Sequence, residues 1–389
     1  MGVTSEPSGA APGETGTLRE RFGDDVVLIT GFPGARAHAL LQLLLAREPE
    51  ISIWLVVPPS ELEASARLLA SNASEHQRLR LIPGEPCAID LGLSRQTYSE
   101  LAMRVDRWFS LYQTSDLGCA RALSTRVNLG AAREVAELSK VAERLAHVTV
   151  LSSAAVFGDY QGPVNEDELD VGQSFSSPAA QALALAEALL RRKLAEVPVS
   201  IVRSPRIVLP ARGAGATPKP SALHRLLALV ASAPADASLP LPPGAGRAVQ
   251  TVPADFLAEA LYAVSALGTR GHSYHFADPE PPSLQQVLER AAAHFGKRFE
   301  LGGGARALGR LLLSGPTFWL TQQSSRALSE WAAGPDLVTR AGDRLLERAG
   351  LRAPSLLEYL DEVLRETEAL VAASALEPPV ASSPIEVVA

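Results

Sequence analysis

The sequence predicts an α/β fold: a Rossmann-like, doubly wound parallel sheet with a smaller, mostly helical C-terminal lobe. Three observations carry this. From Asp25 to about Pro210, short β-rich runs alternate with longer helix-period segments, the pattern of a parallel sheet covered on both faces. A glycine-rich turn, ITGFPGARAHALL (29–41), follows the first apolar run and opens the first helical stretch. Past Pro210 the texture changes to Gly/Pro-rich connections and helical segments around one short β-prone run.

The predicted strands are VVLIT (26–30), ISIWLVV (51–57), LRLI (79–82), WFSLY (108–112), HVTVLSS (147–153) and VSIVRS (199–204). Helices are predicted between them, among others over AHALLQLLLAR (37–47) and LGAAREVAELSKVAERLA (129–146). Two Gly/Pro-rich connections follow, at 211–221 and 232–247. VPADFLAEALYAV (252–264) then reads as a helix capped at Asp255, SYHFA (273–277) as a strand, and 284–295 and 355–373 as helices.

The organisation that results is a disordered tail over 1–22 and a dinucleotide-binding type of domain over 23–210, to which 248–278 returns. The smaller lobe takes 211–247 and 279–373, and 374–389 is a loose tail. Trp319 and Trp331, in the apolar stretch 305–332, read as core or partner-facing residues. The tail ending in IEVVA reads as a spacer, with docking on a partner's sheet edge as the sharper alternative.

A hydrophobic content of 47% in 389 residues supports a substantial core. The net charge is −7 and the arginines are scattered, which argues against a nucleic-acid partner. Cys87 and Cys119 are too few for a disulfide framework and read as buried thiols in a reducing compartment. No apolar stretch reaches the ~20 residues of a membrane span, and the first residues lack the apolar core of a signal peptide. A cytoplasmic location is the expectation.

The glycine loop sets Gly31, Gly34 and Ala37 in a GxxGxxA pattern. The first glycine allows a tight turn, the second a close approach to a pyrophosphate, and the small third residue close helix packing. The helix start then offers N–H groups and the positive dipole end. The second strand ends WLVVPPSELE, so Val56, Val57, Pro58 and Pro59 stand where a ribose-reading charge is expected, with only Ser60 polar nearby. Neither NAD nor NADP is selected, and a chain without cofactor is an equal reading. His272 and His275 in HSYH lack a third ligand, so no metal site is expected.

TGFPGARA (30–37), PGEP (83–86), VDRWFSLYQ (105–113), VNLGAAR (127–133), LSSAAVFG (151–158), IVRSPRIV (201–208), VPADFLAEAL (252–261) and YHFADPEPPSLQQVL (274–288) occur in that order. As a set they resemble the landmarks of extended short-chain dehydrogenases/reductases, nearest to thioester reductase domains and fatty acyl reductases. The resemblance runs from about Val26 to about Leu370. It implies a cofactor site from Gly31, Phe32, Pro33, Gly34 and Ala37 of the loop, Glu85 at the adenine-contacting acid, Ser110, Asn128 and Ser152. Ser110, Tyr112 and Gln113 replace the residues usual in the family's HxAA segment. Ser153 falls at the catalytic Ser/Thr.

The family's Tyr-x-x-x-Lys pair is missing. FSSPAAQALALAE (175–187) resembles the segment that carries it, and places Ala179 at the Tyr position and Leu183 at the Lys position. No Tyr lies between Tyr160 and Tyr262, and Lys193 is the only Lys between Lys140 and Lys219. Lys193 is ten residues past Leu183, about 15 Å along a helix. A methyl and an isobutyl group cannot exchange a proton.

The sequence thus reads as a catalytically degenerate reductase fold acting by binding, as scaffold, regulator or nucleotide sensor. One alternative is an active NAD(P)-dependent reductase or epimerase using Ser153 with a non-standard donor such as Tyr160. Another is a cofactor-free interaction module. A protein partner is expected, with a homo-oligomer through helix 177–195 as one form, where Ala179, Leu183 and Leu190 would pack. The competing reading has them filling an emptied pocket.

Overall fold

The computed structural model describes residues 25–70, 77–114, 119–193, 196–208, 221–232, 238–240, 245–300 and 334–376. Residues 1–22, the connection 211–220, the stretch with Trp319 and Trp331, and the IEVVA terminus lie outside the described residues.

The chain opens with β1 (Val26–Thr30), α1 (Ala35–Arg47), β2 (Ser52–Val57), α2 (Leu62–Leu69) and β3 (Leu79–Pro83). Next come α3 (Arg95–Arg104), β4 (Arg107–Ser110), α4 (Arg121–Val141) and β5 (His147–Ser153). After β6 (Pro163–Val164), α5 (Pro178–Lys193) leads to β7 (Val199–Ser204) and β8 (Arg206–Val208). Then follow α6 (Ala222–Ala231), β9 (Ser238–Pro240), β10 (Thr251–Pro253), α7 (Ala254–Leu267), β11 (Ser273–His275), α8 (Leu284–His294) and β12 (Arg298–Glu300). β13 (Asp336–Leu337), α9 (Arg340–Ala349) and α10 (Leu356–Leu376) complete the described elements.

Seven strands form one parallel sheet in the order β11-β7-β5-β4-β1-β2-β3. The reversal of connection direction falls between β1 and β4, which opens a crevice at their carboxyl ends. Alternate residues of each strand serve the two faces. Val27 and Ile29 meet Leu40, Leu41 and Leu44 of α1 and Leu257 and Leu261 of α7 on one face. Val26 and Leu28 meet Leu101 of α3, Val135 of α4 and Leu190 of α5 on the other. Burial on both faces explains the unbroken Val/Ile/Leu runs.

β11 extends the sheet beside β7, and α7 packs on α1, so 251–275 adds to the Rossmann-like body. A separate apolar cluster joins Leu223 and Leu227 of α6, Val287 and Leu288 of α8, and Leu360 and Leu364 of α10.

Several predicted bounds shift. The helix expected at 129–146 spans 121–141. It ends early because Ala142 turns extended and the Glu143 N–H donates to the Ala102 carbonyl, a tertiary bond that sequence periodicity does not encode. α7 starts at Ala254, with Pro253 at the cap position, so Asp255 is not the cap; its carboxylate accepts from the Phe256 N–H inside the first turn. The strand expected at 273–277 stops at His275. Cys87 is buried, but Cys119 is only partly covered.

Candidate functional site

Gly31 has φ +103°, and a Cβ there would sit 2.7 Å from the Leu111 carbonyl carbon. Only glycine serves where the loop after β1 grazes the loop after β4. At Gly34 a Cβ would sit 2.7 Å from the Gly31 oxygen, against which the Gly34 N–H bonds at 2.9 Å. Gly34 caps α1 without a side chain, so the helix starts on bare backbone as the loop pattern requires. Ala37 packs in the core under the loop. Phe32 also turns into that core and stacks on His38, so its ring does not face the crevice.

The first turn of α1 carries Arg36, a cation at the positive end of a helix. It reaches toward the loop after β4. With its amide oriented to satisfy both neighbours, Gln113 accepts from Arg36 at 2.9 Å and donates to the Leu151 carbonyl of β5 at 3.2 Å. The Tyr112 hydroxyl, from the same loop after β4, donates to Glu85 at 2.7 Å, and the Cys87 thiol donates to the same carboxylate oxygen at 3.3 Å. Burial and the Glu85 carboxylate push the Tyr112 phenol well above its ordinary range and the Cys87 thiol up to about 11.

Asn128 is buried on α4, where its side chain accepts from the Thr114 N–H at 2.8 Å and donates to the Thr114 carbonyl at 2.9 Å and the Ala179 carbonyl at 3.3 Å. It clamps the end of the β4 loop to the first turn of α5. Ser152 donates to Glu187 at 3.0 Å. Ser153 accepts from the Ala155 N–H at 3.2 Å and so caps the short turn at 154–157. A cavity of about 30 Å³ is lined by Ser110, Gln113, Asn128, Ser152 and Leu183, among others. That is room for one or two waters.

Ala179 is 0% exposed and Leu183 5%. Leu183 packs with Val156, Phe157, Val164 and Ala184, and Tyr160 lies against the same cluster. Ala179, Leu183 and Leu190 are therefore covered within the chain; Leu185 is the half-exposed apolar residue of α5.

Beneath this surface lies an ion cluster that sequence reading missed. Arg203 is fully buried in β7 and donates to Glu187 from Nε at 3.0 Å and from Nη2, to the Glu168 carbonyl at 2.6 Å and to His275 Nε2 at 2.8 Å. Arg191 adds a further bond to Glu187 at 3.1 Å. Burial and the adjacent Arg203 push His275 down to about 3, so the ring is neutral and its Nδ1–H donates to the Val338 carbonyl at 3.0 Å. Glu166 accepts from the His275, Ala341 and Gly342 N–H groups and ties the start of α9 to the sheet. The available signal was an arginine inside the apolar run VSIVRS, which needs a buried partner. For Arg36 the signal was a cation in a helix's first turn.

His272 is exposed and bonded to the Arg270 carbonyl. Among the described residues no group of three or more His, Cys, Asp or Glu could hold a metal. No described helix is long and apolar enough to cross a membrane.

The terminal R domain from the myxalamid PKS-NRPS biosynthetic pathway shares this fold with a TM-score of 0.74 at 21% identity, over 92% of this chain and 94% of that one. The reductase (R) domain of a nonribosomal peptide synthetase from Mycobacterium tuberculosis gives 0.67 at 19% identity, over 91% and 95%. The dTDP-glucose 4,6-dehydratase from Bacillus anthracis, solved in complex with NAD, gives 0.61 at 14% identity, over 89% and 97%. No curated protein matches the sequence. The family model described as "Male sterility protein", an NAD-binding family, matches residues 29–261, more than half of the chain. With its parallel sheet and glycine loop, the chain belongs to that family, within the extended short-chain dehydrogenases/reductases.

Proposed function

We propose that this chain is a catalytically degenerate member of its family that works by binding a protein partner, as scaffold or regulator, and not by hydride transfer. The observation that carries this reading is the hydrocarbon face of α5: Ala179 and Leu183 are packed away at the two positions assigned to proton delivery. The ionisable side chains of α5 are Glu187, Arg191, Arg192 and Lys193. Glu187 is held by Arg203, Arg191 and Ser152, while Arg192 is exposed and Lys193 pairs with Glu196 at the helix end. General acid–base catalysis contributes roughly 10²–10⁴-fold, and this arrangement forgoes it.

A rescue by Ser153 with Tyr160 has less support, since Ser153 caps a turn and Tyr160 packs in the Leu183 cluster. The partner surface on α5 would centre on Leu185, with a second copy of the chain as one candidate. Purified protein incubated with NADH or NADPH and a panel of aldehydes and acyl thioesters should show no turnover above the protein-free control. Turnover that disappears in Ser153→Ala would defeat the reading.

A further inference from the structure

We infer that the dinucleotide crevice of this chain is plugged from within, and that Tyr112 and Gln113 are the residues that keep NAD(P) out. In a doubly wound sheet a dinucleotide lies across the carboxyl ends of the strands at the switch point, pyrophosphate over the glycine loop and the two nucleosides to either side. Here that switch point lies between β1 and β4, with β2 and β3 beyond β1 and β5 beyond β4. On the β2/β3 side, Tyr112 from the loop after β4 is hydrogen-bonded to Glu85 from the loop after β3. The two residues thereby join the loops that flank β1 and β2. On the β5 side, Arg36 and Gln113 run in a chain from the first turn of α1 to the Leu151 carbonyl. One bridge thus ties together the loops after β4 and β3, and the other ties α1 through the loop after β4 to β5.

Two further observations agree. The second strand ends in buried Val56 and Val57, so no charge or hydroxyl from them receives a ribose. Glu85, the acid available to an adenine, already accepts from both the Tyr112 hydroxyl and the Cys87 thiol. The residues present therefore do not fit the cofactor that the family implies, and the glycine loop is retained for its packing against Leu111.

The test is a fluorescence titration of NADPH and NADH with wild type, Tyr112→Ala, Gln113→Ala and the double variant, with far-UV circular dichroism to establish folding. Wild type should show no saturation to about 1 mM and no rise in melting temperature with 10 mM cofactor. The folded double variant should bind at least tenfold more tightly. Saturable micromolar binding by wild type overturns the plug, as does a folded double variant that binds no better. The wild-type melting measurement needs no variant and stands even if the double substitution unfolds. Wild type that binds NADPH without turning it over would defeat the plug alone and leave the proposed function standing.

Discussion

Leu183→Ala discriminates a packed site from a vacated one. Leu183 is 5% exposed, its side chain sits among Val156, Phe157, Val164 and Ala184, and it borders the 30 Å³ cavity. Truncation removes three buried carbons, about 2.4 kcal/mol at ~0.8 kcal/mol each. The void beside it means that the change enlarges a cavity instead of letting neighbours close in, and residual cavity adds about 24 cal/mol per Å³. The expected loss is therefore about 2.5–4 kcal/mol, read from urea unfolding as a fall in midpoint with the slope unchanged. A loss below about 1 kcal/mol would mean that Leu183 lines an open crevice, and the account of a filled proton-relay site would be wrong.

Glu187→Gln strips the buried Arg203 guanidinium of its counter-charge and should cost about 3–5 kcal/mol, measured by the same unfolding curves. Asn128→Ala removes the side-chain hydrogen bonds to the Thr114 N–H, the Thr114 carbonyl and the Ala179 carbonyl; a loss of roughly 2–3 kcal/mol is expected. His147 and His275 are held down to about 4 and about 3 by burial, so below the ordinary value of 6.5 the unfolded chain takes up protons that the folded chain refuses. Stability should hold at neutral pH and fall as pH drops from about 6.5 to about 4, by up to ~2.7 kcal/mol per pH unit for the two together. His147→Asn should flatten that slope by about half; an unchanged slope would show that His147 titrates normally.

The central sheet was legible because a strand covered on both faces must be written in apolar residues: HVTVLSS was predicted at 147–153 and β5 has those bounds. The glycine loop was legible because Gly31 occupies a backbone conformation that side chains rarely adopt. Helix ends were less legible where a distant contact decides them, as the Glu143 to Ala102 bond does for α4. At the candidate site, Ala179 and Leu183 could be named from register, but the packing of Leu183 against Val156 and Phe157 depends on how the chain folds back after β5. Tyr112 and Glu85 are 27 residues apart and in unlike segments, so nothing local announces their bond. Gln113 was visible as a departure from the family segment, yet only the fold shows that Arg36 is its partner.

The most direct test of the central claim is deuteride transfer. Protein at high concentration is incubated with [4-²H]NADPH and [4-²H]NADH and the aldehyde and acyl thioester panel, and mass spectrometry reads deuterium in the alcohol or aldehyde products, a readout sensitive to a single turnover. With hydrocarbon at 179 and 183, the products should carry no deuterium above the protein-free control. Deuterium incorporated in proportion to protein and lost in Ser153→Ala would contradict the claim that α5 has given up its chemistry.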